Sequence, residues 1–354
     1  MLLAALVEHA DHVCCRYRLA AFRPFLEQAG HRLELLPRPR RTWEWLGLGR
    51  RLRDAHAVIV QRKLLHPWQL RLLRGRSRLL IFDFDDAIFL RHACATDGNR
   101  PRRFAHMVRS ADMTVAGNDF LGAQAIRCAG ASRVGVIPTC VDPVRYKSAA
   151  HARTGRGVEL AWIGSSSTLR GLEAARPMLE TLGRQVPGLR LKIVCDRFPR
   201  LQRLRVVECP WSEAGEAEAL AAADIGISWL PHDCWSRGKC GLKVLQYMAA
   251  GLPVVANPVG VQAEMVRPGE TGFLAETPGQ WLAAVGRLAH DPALRRRMGR
   301  AGRRLLEADY GVGVGAARWV ALIEELQATG PQWDGSPRRA LLRAGRAGTR
   351  LRFS

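Results

Sequence analysis

Two lysines four positions apart give this chain its clearest chemistry. The 354-residue sequence holds 54 Lys plus Arg, yet only Lys63, Lys147, Lys192, Lys239 and Lys243 are lysines. Two of these five fall in the stretch from Trp235 to Gly260, WSRGKCGLKVLQYMAAGLPVVANPVG. Where arginine holds nearly every basic position, a retained lysine suits work that needs a compact point charge. Gly238 and Gly241 flank Lys239 and Cys240, and the spacing from Leu242 to Ala250 predicts a helix that Gly251 stops. A glycine-bearing loop feeding a helix N-terminus gathers backbone N–H groups and the positive end of the helix dipole, which suits a phosphate. An ammonium group on the same loop makes it suit a diphosphate better. The alternative is a solvated helix start with ordinary charges.

A second group lies in IFDFDDAIF, where Asp83, Asp85 and Asp86 follow an apolar strand. In a parallel sheet the carboxyl end of a strand points into the ligand crevice. Three carboxylates there permit a D-x-D metal site. They also permit a structural arrangement, with one capping the next helix and another pairing with an arginine. At least one is expected to be functional. Arg16 and Arg18 open the first long helix, where they either recognise an anionic group or serve as routine surface charges. His56, His66 and His92 show no partner spacing and read as core or surface residues.

These side chains need a scaffold, and the apolar periodicity supplies one. Candidate strands are Leu2–Val7, Arg32–Leu36, Ala57–Val60, Leu79–Phe84, Met113–Ala116 and Val134–Ile137, with helical patterns between them. Residues 143–157 have no apolar periodicity and read as a linker. The alternation then restarts with Val158–Ile163, Leu189–Cys195, Arg205–Glu208, Ile225–Trp229, Val254–Ala256 and Gly272–Ala275. Short apolar strands with crossover helices imply parallel doubly wound sheets. The expected organisation is α/β: two tandem Rossmann-like domains, 1–145 and 158–330, around an inter-domain cleft, then a basic tail, 331–354.

Composition narrows the class. A hydrophobic fraction of 47% argues for packed cores. No apolar run approaches the roughly 18 residues of a membrane span, and the N-terminus reads as a buried strand, not a signal peptide. Nine scattered cysteines without a CxxC pair suggest a reduced cytosolic protein with no zinc site. The net charge is +22, and residues 38–78 hold eleven Arg and Lys63 against Glu44 and Asp54. Trp43, Trp45 and Trp68 are interleaved there. That mixture suits an anionic membrane surface, a nucleic acid, or a solvated helix face over core tryptophans. No recognised nucleic-acid motif is present, and no nucleic-acid partner is expected.

The run GLKVLQYMAAGLPVVANPVG, then Glu264 and GETGFLA, resembles the family-4 (group 1) retaining glycosyltransferases of the GT-B fold. ADIGISWLP (223–231), WIGSSSTLRG (162–171), ADMTVAGNDF (111–120) and VGVIPTCVDPVRY (134–146) are similar to further elements of that family. The resemblance implies a UDP- or GDP-linked sugar held by the second domain. A glycan or lipid-linked acceptor would enter from the first, in cell-surface polysaccharide synthesis on the cytoplasmic side, with the protein peripheral at the inner face of the plasma membrane. It implies no metal and no cofactor beyond the donor itself. The family's two glutamates, eight apart, fall on Gly238 and Gln246, and its Arg and Lys after the first strand of the second domain fall on Ser165 and Arg170. Lys239 is expected to restore the lost charge and, with Arg170 and the Gly241–Leu242 backbone, to clamp the diphosphate. Donor contacts are further expected from Gly164, Cys240, Lys243, Gln246 (ribose), Gly260, Val261 and Glu264 (sugar). Asp85 or Asp86 would form the cleft floor, and Arg16 and Arg18 would meet an anionic acceptor. A catalytically inactive module that kept the fold is the alternative.

Overall fold

A computed structural model describes residues 1–91, 98–130, 133–153 and 157–329. His92 and the basic tail 331–354 lie outside the described residues. Each lobe is a six-stranded, all-parallel sheet. The first comprises β1 (Leu2–Val7), β2 (Arg32–Pro37), β3 (Ala57–Gln61), β4 (Leu79–Phe84), β5 (Met113–Ala116) and β6 (Val134–Val136). Its spatial order is β2-β1-β3-β4-β5-β6. The second comprises β7 (Glu159–Ile163), β8 (Arg190–Cys195), β9 (Arg205–Pro210), β10 (Ile225–Ser228), β11 (Val254–Ala256) and β12 (Gly272–Leu274). Its order is β12-β11-β10-β7-β8-β9. Central strands such as β3 and β4 are buried along their whole length, because helices cover both faces of each sheet.

Strand order decides where ligands can sit. In open α/β sheets the crevice opens beyond the carboxyl ends of the strands where the order reverses. Those points are β1/β3 in the first lobe and β7/β10 in the second, and all four strand ends face the gap between lobes.

Two expectations change. The second lobe does not keep the last described helix: Val312–Thr329 crosses back and buries Ala316, Trp319 and Ile323 among Leu3, Phe22 and Leu26 of the first lobe. Its apolar stripe completes that lobe's core. The segment read as a linker is, over 143–153, an ordered strap. Tyr146 is buried, and His151 is buried with its Nε2 2.8 Å from the Gly251 carbonyl.

The first long helix of the sequence pattern is broken into Val13–Arg18, a short 3-10 turn and Arg23–Gln28. Pro24, which lacks an N–H, sits in the first turn of the last piece, where none is needed.

Candidate active site

A cavity of about 680 Å³ opens at the β7/β10 switch point and is walled by both lobes. On the second-lobe side it is built by the turn after β7, the loop after β10 and the start of the helix Leu242–Ala249. Gly241 caps that helix in a left-handed conformation (φ 68°), and a Cβ there would lie 2.5 Å from Met265 Sδ. Only glycine fits both demands. No side chain caps the helix, so its first amides remain for a ligand.

The two lysines turn out to have different situations. Lys239 Nζ donates to Asp86 Oδ2 at 3.1 Å across the lobes, and lies 5.3 Å from the Trp235 ring centroid. Its charge is already answered. Lys243 reaches back to the β7 turn, where Nζ lies 3.4 Å from Thr168 Oγ1 and 4.7 Å from the Trp162 ring centroid. No carboxylate pairs with it among the described residues. Burial first, and the nearby Lys239 second, pull its ammonium down to about 7 from the ordinary 10.5. The free charge that the sequence assigned to Lys239 therefore belongs to Lys243. Gly164, Ser165, Cys240 and Leu242 line the same wall. Arg170 stands at the rim, 60% exposed and 3.8 Å from Asp233.

Gln246 lines the cavity, but its amide donates to Tyr17 Oη at 3.1 Å and Tyr146 Oη at 3.4 Å. Tyr17 in turn donates to the buried Glu216 at 2.7 Å. The side chain expected at the ribose is thus part of a polar contact between lobes. Arg16 belongs to the same contact, 2.9 Å from Glu213 and 3.5 Å from Glu216. Arg18 lies elsewhere: it is 1% exposed and donates through Nε to both oxygens of the fully buried Asp83 at 3.1 Å. Arg18 is spent inside the first lobe, whereas Arg16, though ion-paired, still lines the cavity.

Gly238 does not face the cavity. Its carbonyl, with that of Lys239, accepts from Asn118 of the first lobe, and a Cβ on it would lie 2.8 Å from that of Ala87. The family's first glutamate has no room here. Gly260, Val261 and Glu264 also lie off the cavity wall. Val261 is buried against Gly241, and Glu264 is exposed. The helix Gln262–Met265 presents Gln262 inward instead, and Ser228 Oγ donates to its Oε1. Two residues along a helix is a turn of about 200°, so Gln262 and Glu264 face opposite ways. Gln262 and Thr168 went unnoticed in the sequence because neither carries a charge, although Thr168 lies within the run WIGSSSTLRG.

The three aspartates separate. Asp83 is spent on Arg18. Asp86 bonds Arg62 and Lys239, and burial pushes its carboxyl up against the pull of those two cations. Asp85 lies 3.7 Å from Arg62 Nε, and its buried Oδ1 accepts no hydrogen bond. The D-x-D metal arrangement is not formed, and among the described residues no three His, Cys, Asp or Glu side chains group to hold a metal ion. Arg62 is held at φ 57°, a strained conformation for a long side chain that costs about 1–3 kcal/mol and is typical of functional sites. Its guanidinium bridges Asp85 and Asp86.

Two Rossmann-like lobes facing each other across such a cleft define the GT-B fold of glycosyltransferases. Sucrose-phosphate synthase from Thermosynechococcus elongatus superposes with a TM-score of 0.72 at 17% identity, over 93% of this chain and 99% of that one. Anabaena HepE in complex with UDP and glucose superposes with a TM-score of 0.66 at 14% identity, over 92% and 99%. Residues 162–291, which build the β7/β10 side of the cleft, match the family described as Glycosyl transferases group 1. A D-inositol 3-phosphate glycosyltransferase of Acidothermus cellulolyticus is 26% identical over 59% of this chain and 54% of its own length. A GDP-mannose-dependent alpha-mannosyltransferase of Mycolicibacterium smegmatis is 30% identical over 49% of each chain. The chain spans about half the length of the curated relatives it matches.

Proposed function

We propose that the protein is a retaining glycosyltransferase. It would move a sugar from a UDP- or GDP-linked donor to a hydroxyl of a glycan or lipid-linked acceptor. The observation that carries this reading is the Lys243 ammonium. Among the described residues it has no carboxylate partner; it stands at the β7/β10 switch point and adjoins the uncapped start of the helix Leu242–Ala249. The donor diphosphate lies there, met by Lys243, the helix amides and the rim Arg170. These cations and dipoles act where negative charge grows as the sugar–phosphate bond breaks, so the reading needs no metal. The acceptor oxygen bonds to the anomeric carbon on the face from which the diphosphate departs, and the leaving phosphate oxygen takes the acceptor proton. Asp85, which lines the cavity, offsets the positive charge developing on the sugar ring. Structures of similar fold, in which HepE is in complex with UDP and glucose or with UDP-glucose, favour the same donor class.

A thermal-shift screen against UDP, GDP, ADP and their sugars tests this reading. A ligand at a hundred times its Kd adds about 2.7 kcal/mol of stability. Stabilisation by one nucleotide, with transfer of its sugar, is expected, and no response to any of them would overturn the reading. The absence of a carboxylate at Gly238 favours a second reading, an inactive nucleotide-sugar binder, which predicts stabilisation without turnover.

We further infer that residues 38–78 rest on an anionic bilayer at the inner face of the plasma membrane. The helix Thr42–Arg51 buries Trp45 but exposes Trp43 at 64% and Leu46 at 66%, and Trp68 on the next helix is exposed beside them. Arg38, Arg40, Arg41, Arg51 and Arg53 surround this apolar ridge in sequence, and each basic residue near such a surface adds about 1 kcal/mol. The chain should sediment with phosphatidylglycerol vesicles, be released by salt, and ignore phosphatidylcholine vesicles. Equal binding to both would remove this inference. No helix among the described residues is long and apolar enough to cross a membrane.

A further inference from the structure

We propose that the acceptor carries a phosphate group, and that a second cavity in the first lobe binds it. This deepens the transferase reading and rests on it for the word acceptor. The cavity, about 620 Å³, lies at the β1/β3 switch point and shares His12, Cys14, Arg62 and Trp235 with the donor cleft. A molecule seated in it therefore lies next to the cleft, with these four side chains between or beside the two.

Its charge is one-sided. The lining includes Arg62, Lys63, Arg100 and Arg103 against the single acid Glu8. Glu8 is spent on Lys63 at 2.6 Å, and Arg62 is spent on Asp85 and Asp86. Arg100 Nη1 donates to the Ile88 and Leu90 carbonyls at 3.3 and 3.4 Å, which holds the side chain in place and leaves the rest of its fork unused. Among the described residues no carboxylate pairs with Arg100 or Arg103. The two stand three apart on the helix Asn99–Ser110, on one face, so both guanidinium groups can converge on one anion. Two unanswered cations match the charge of a phosphate monoester at neutral pH, close to −2, and guanidinium forks suit phosphate oxygens. His12 adds a donor on the cleft side. The Cys14 amide donates to its Nδ1 at 3.3 Å, which leaves the ring proton on Nε2. Burial and the Arg62 charge keep the ring's pKa low.

The test uses the full chain saturated with UDP, titrated by calorimetry with glucose 6-phosphate and, as the neutral control, glucose. The phosphorylated sugar is expected to bind at least about tenfold more tightly. The R100Q/R103Q double variant should lose that preference while keeping its UDP affinity and its far-UV circular dichroism. R103Q alone should lose about half of it on a logarithmic scale. A parallel arm compares vesicles with and without a polyprenyl phosphate. Sensitivity to the double variant in solution assigns a soluble sugar phosphate, and sensitivity only on vesicles assigns a lipid-linked one; either supports the proposal. Equal binding of phosphorylated and neutral ligands in both arms, or a preference that survives in R100Q/R103Q, overturns it. The titrations repeated without UDP read this cavity alone, so a failure of nucleotide binding at Lys243 is distinguished from a failure here.

Discussion

The Lys243→Met variant is expected to transfer sugar about 10²–10³-fold more slowly than the parent, the loss typical of removing one donor aimed at developing charge. Methionine keeps the length and packing against Trp162 and removes only the charge, so folding should not suffer. The native ammonium, lowered to about 7 by burial and Lys239, predicts a pH signature as well. In the unfolded chain this amine has its ordinary value of 10.5, so between pH 7 and 10.5 the unfolded state binds more protons. The parent's stability from this group therefore rises with pH across that window and is lowest below pH 7. Donor binding runs the other way. A diphosphate favours the charged amine, so binding takes up a proton above pH 7, and affinity falls as pH rises through 7 until the bound-state pKa is passed. Calorimetry in buffers of different ionisation enthalpy would read that proton directly at pH 8. Lys243→Met should show neither the proton uptake nor the pH-dependent affinity. Parent-like turnover in the variant, or a parent affinity flat from pH 6 to 9, would move the diphosphate away from Lys243.

Why the sequence pointed first to Lys239 is a matter of range. All twelve strands were legible, because short apolar runs between crossover helices leave few other folds open. Gly241 was legible as a loop glycine before a helix, but its left-handed cap against Met265 was not. What local pattern does not contain is the partner of a charge. Lys239 and Lys243 look alike until Asp86, 153 residues away, is placed beside one of them. Arg16 and Arg18 looked like a pair because they are adjacent but one. On a helix that spacing sends them to opposite sides, Arg16 to Glu216 in the second lobe and Arg18 to Asp83 in the first. The helix Val312–Thr329 was recognisable as a helix, but its apolar stripe does not say which lobe lacks a cover. The absent family glutamate was read correctly as absent. Its reason, the approach of Ala87 to Gly238, lies in a contact between the two lobes that no local pattern contains.

Asp83→Asn should be the most destabilising conservative substitution in the first lobe, by about 3–5 kcal/mol. The native pair is cut off from water on both sides: Asp83 is 0% exposed and Arg18 1%. Asp83 receives Arg18 Nε at 3.1 Å on each oxygen, and Gln61 Nε2 lies 3.5 Å from Oδ2. Arg18 Nη1 is satisfied by the Ile137 carbonyl at 2.9 Å. Asparagine keeps the shape but leaves a guanidinium charge buried with no counter-ion, and that desolvated charge is the source of the cost. The effect should scarcely change with salt, since ions do not reach the pair. It should appear in urea melts as a lower midpoint with an unchanged slope. Replacing both partners, Arg18→Met with Asp83→Leu, should recover much of the loss, because no isolated charge is then left behind. Activity should fall further than stability alone requires. Asp83 is the penultimate residue of β4, and the next turn carries Asp85 and Asp86 to Arg62 and Lys239, so a displaced strand end misplaces the cleft floor. An Asp83→Asn protein within about 1 kcal/mol of the parent would show that Arg18 finds water or another partner. The acidic cluster would then owe its position to packing rather than to this ion pair.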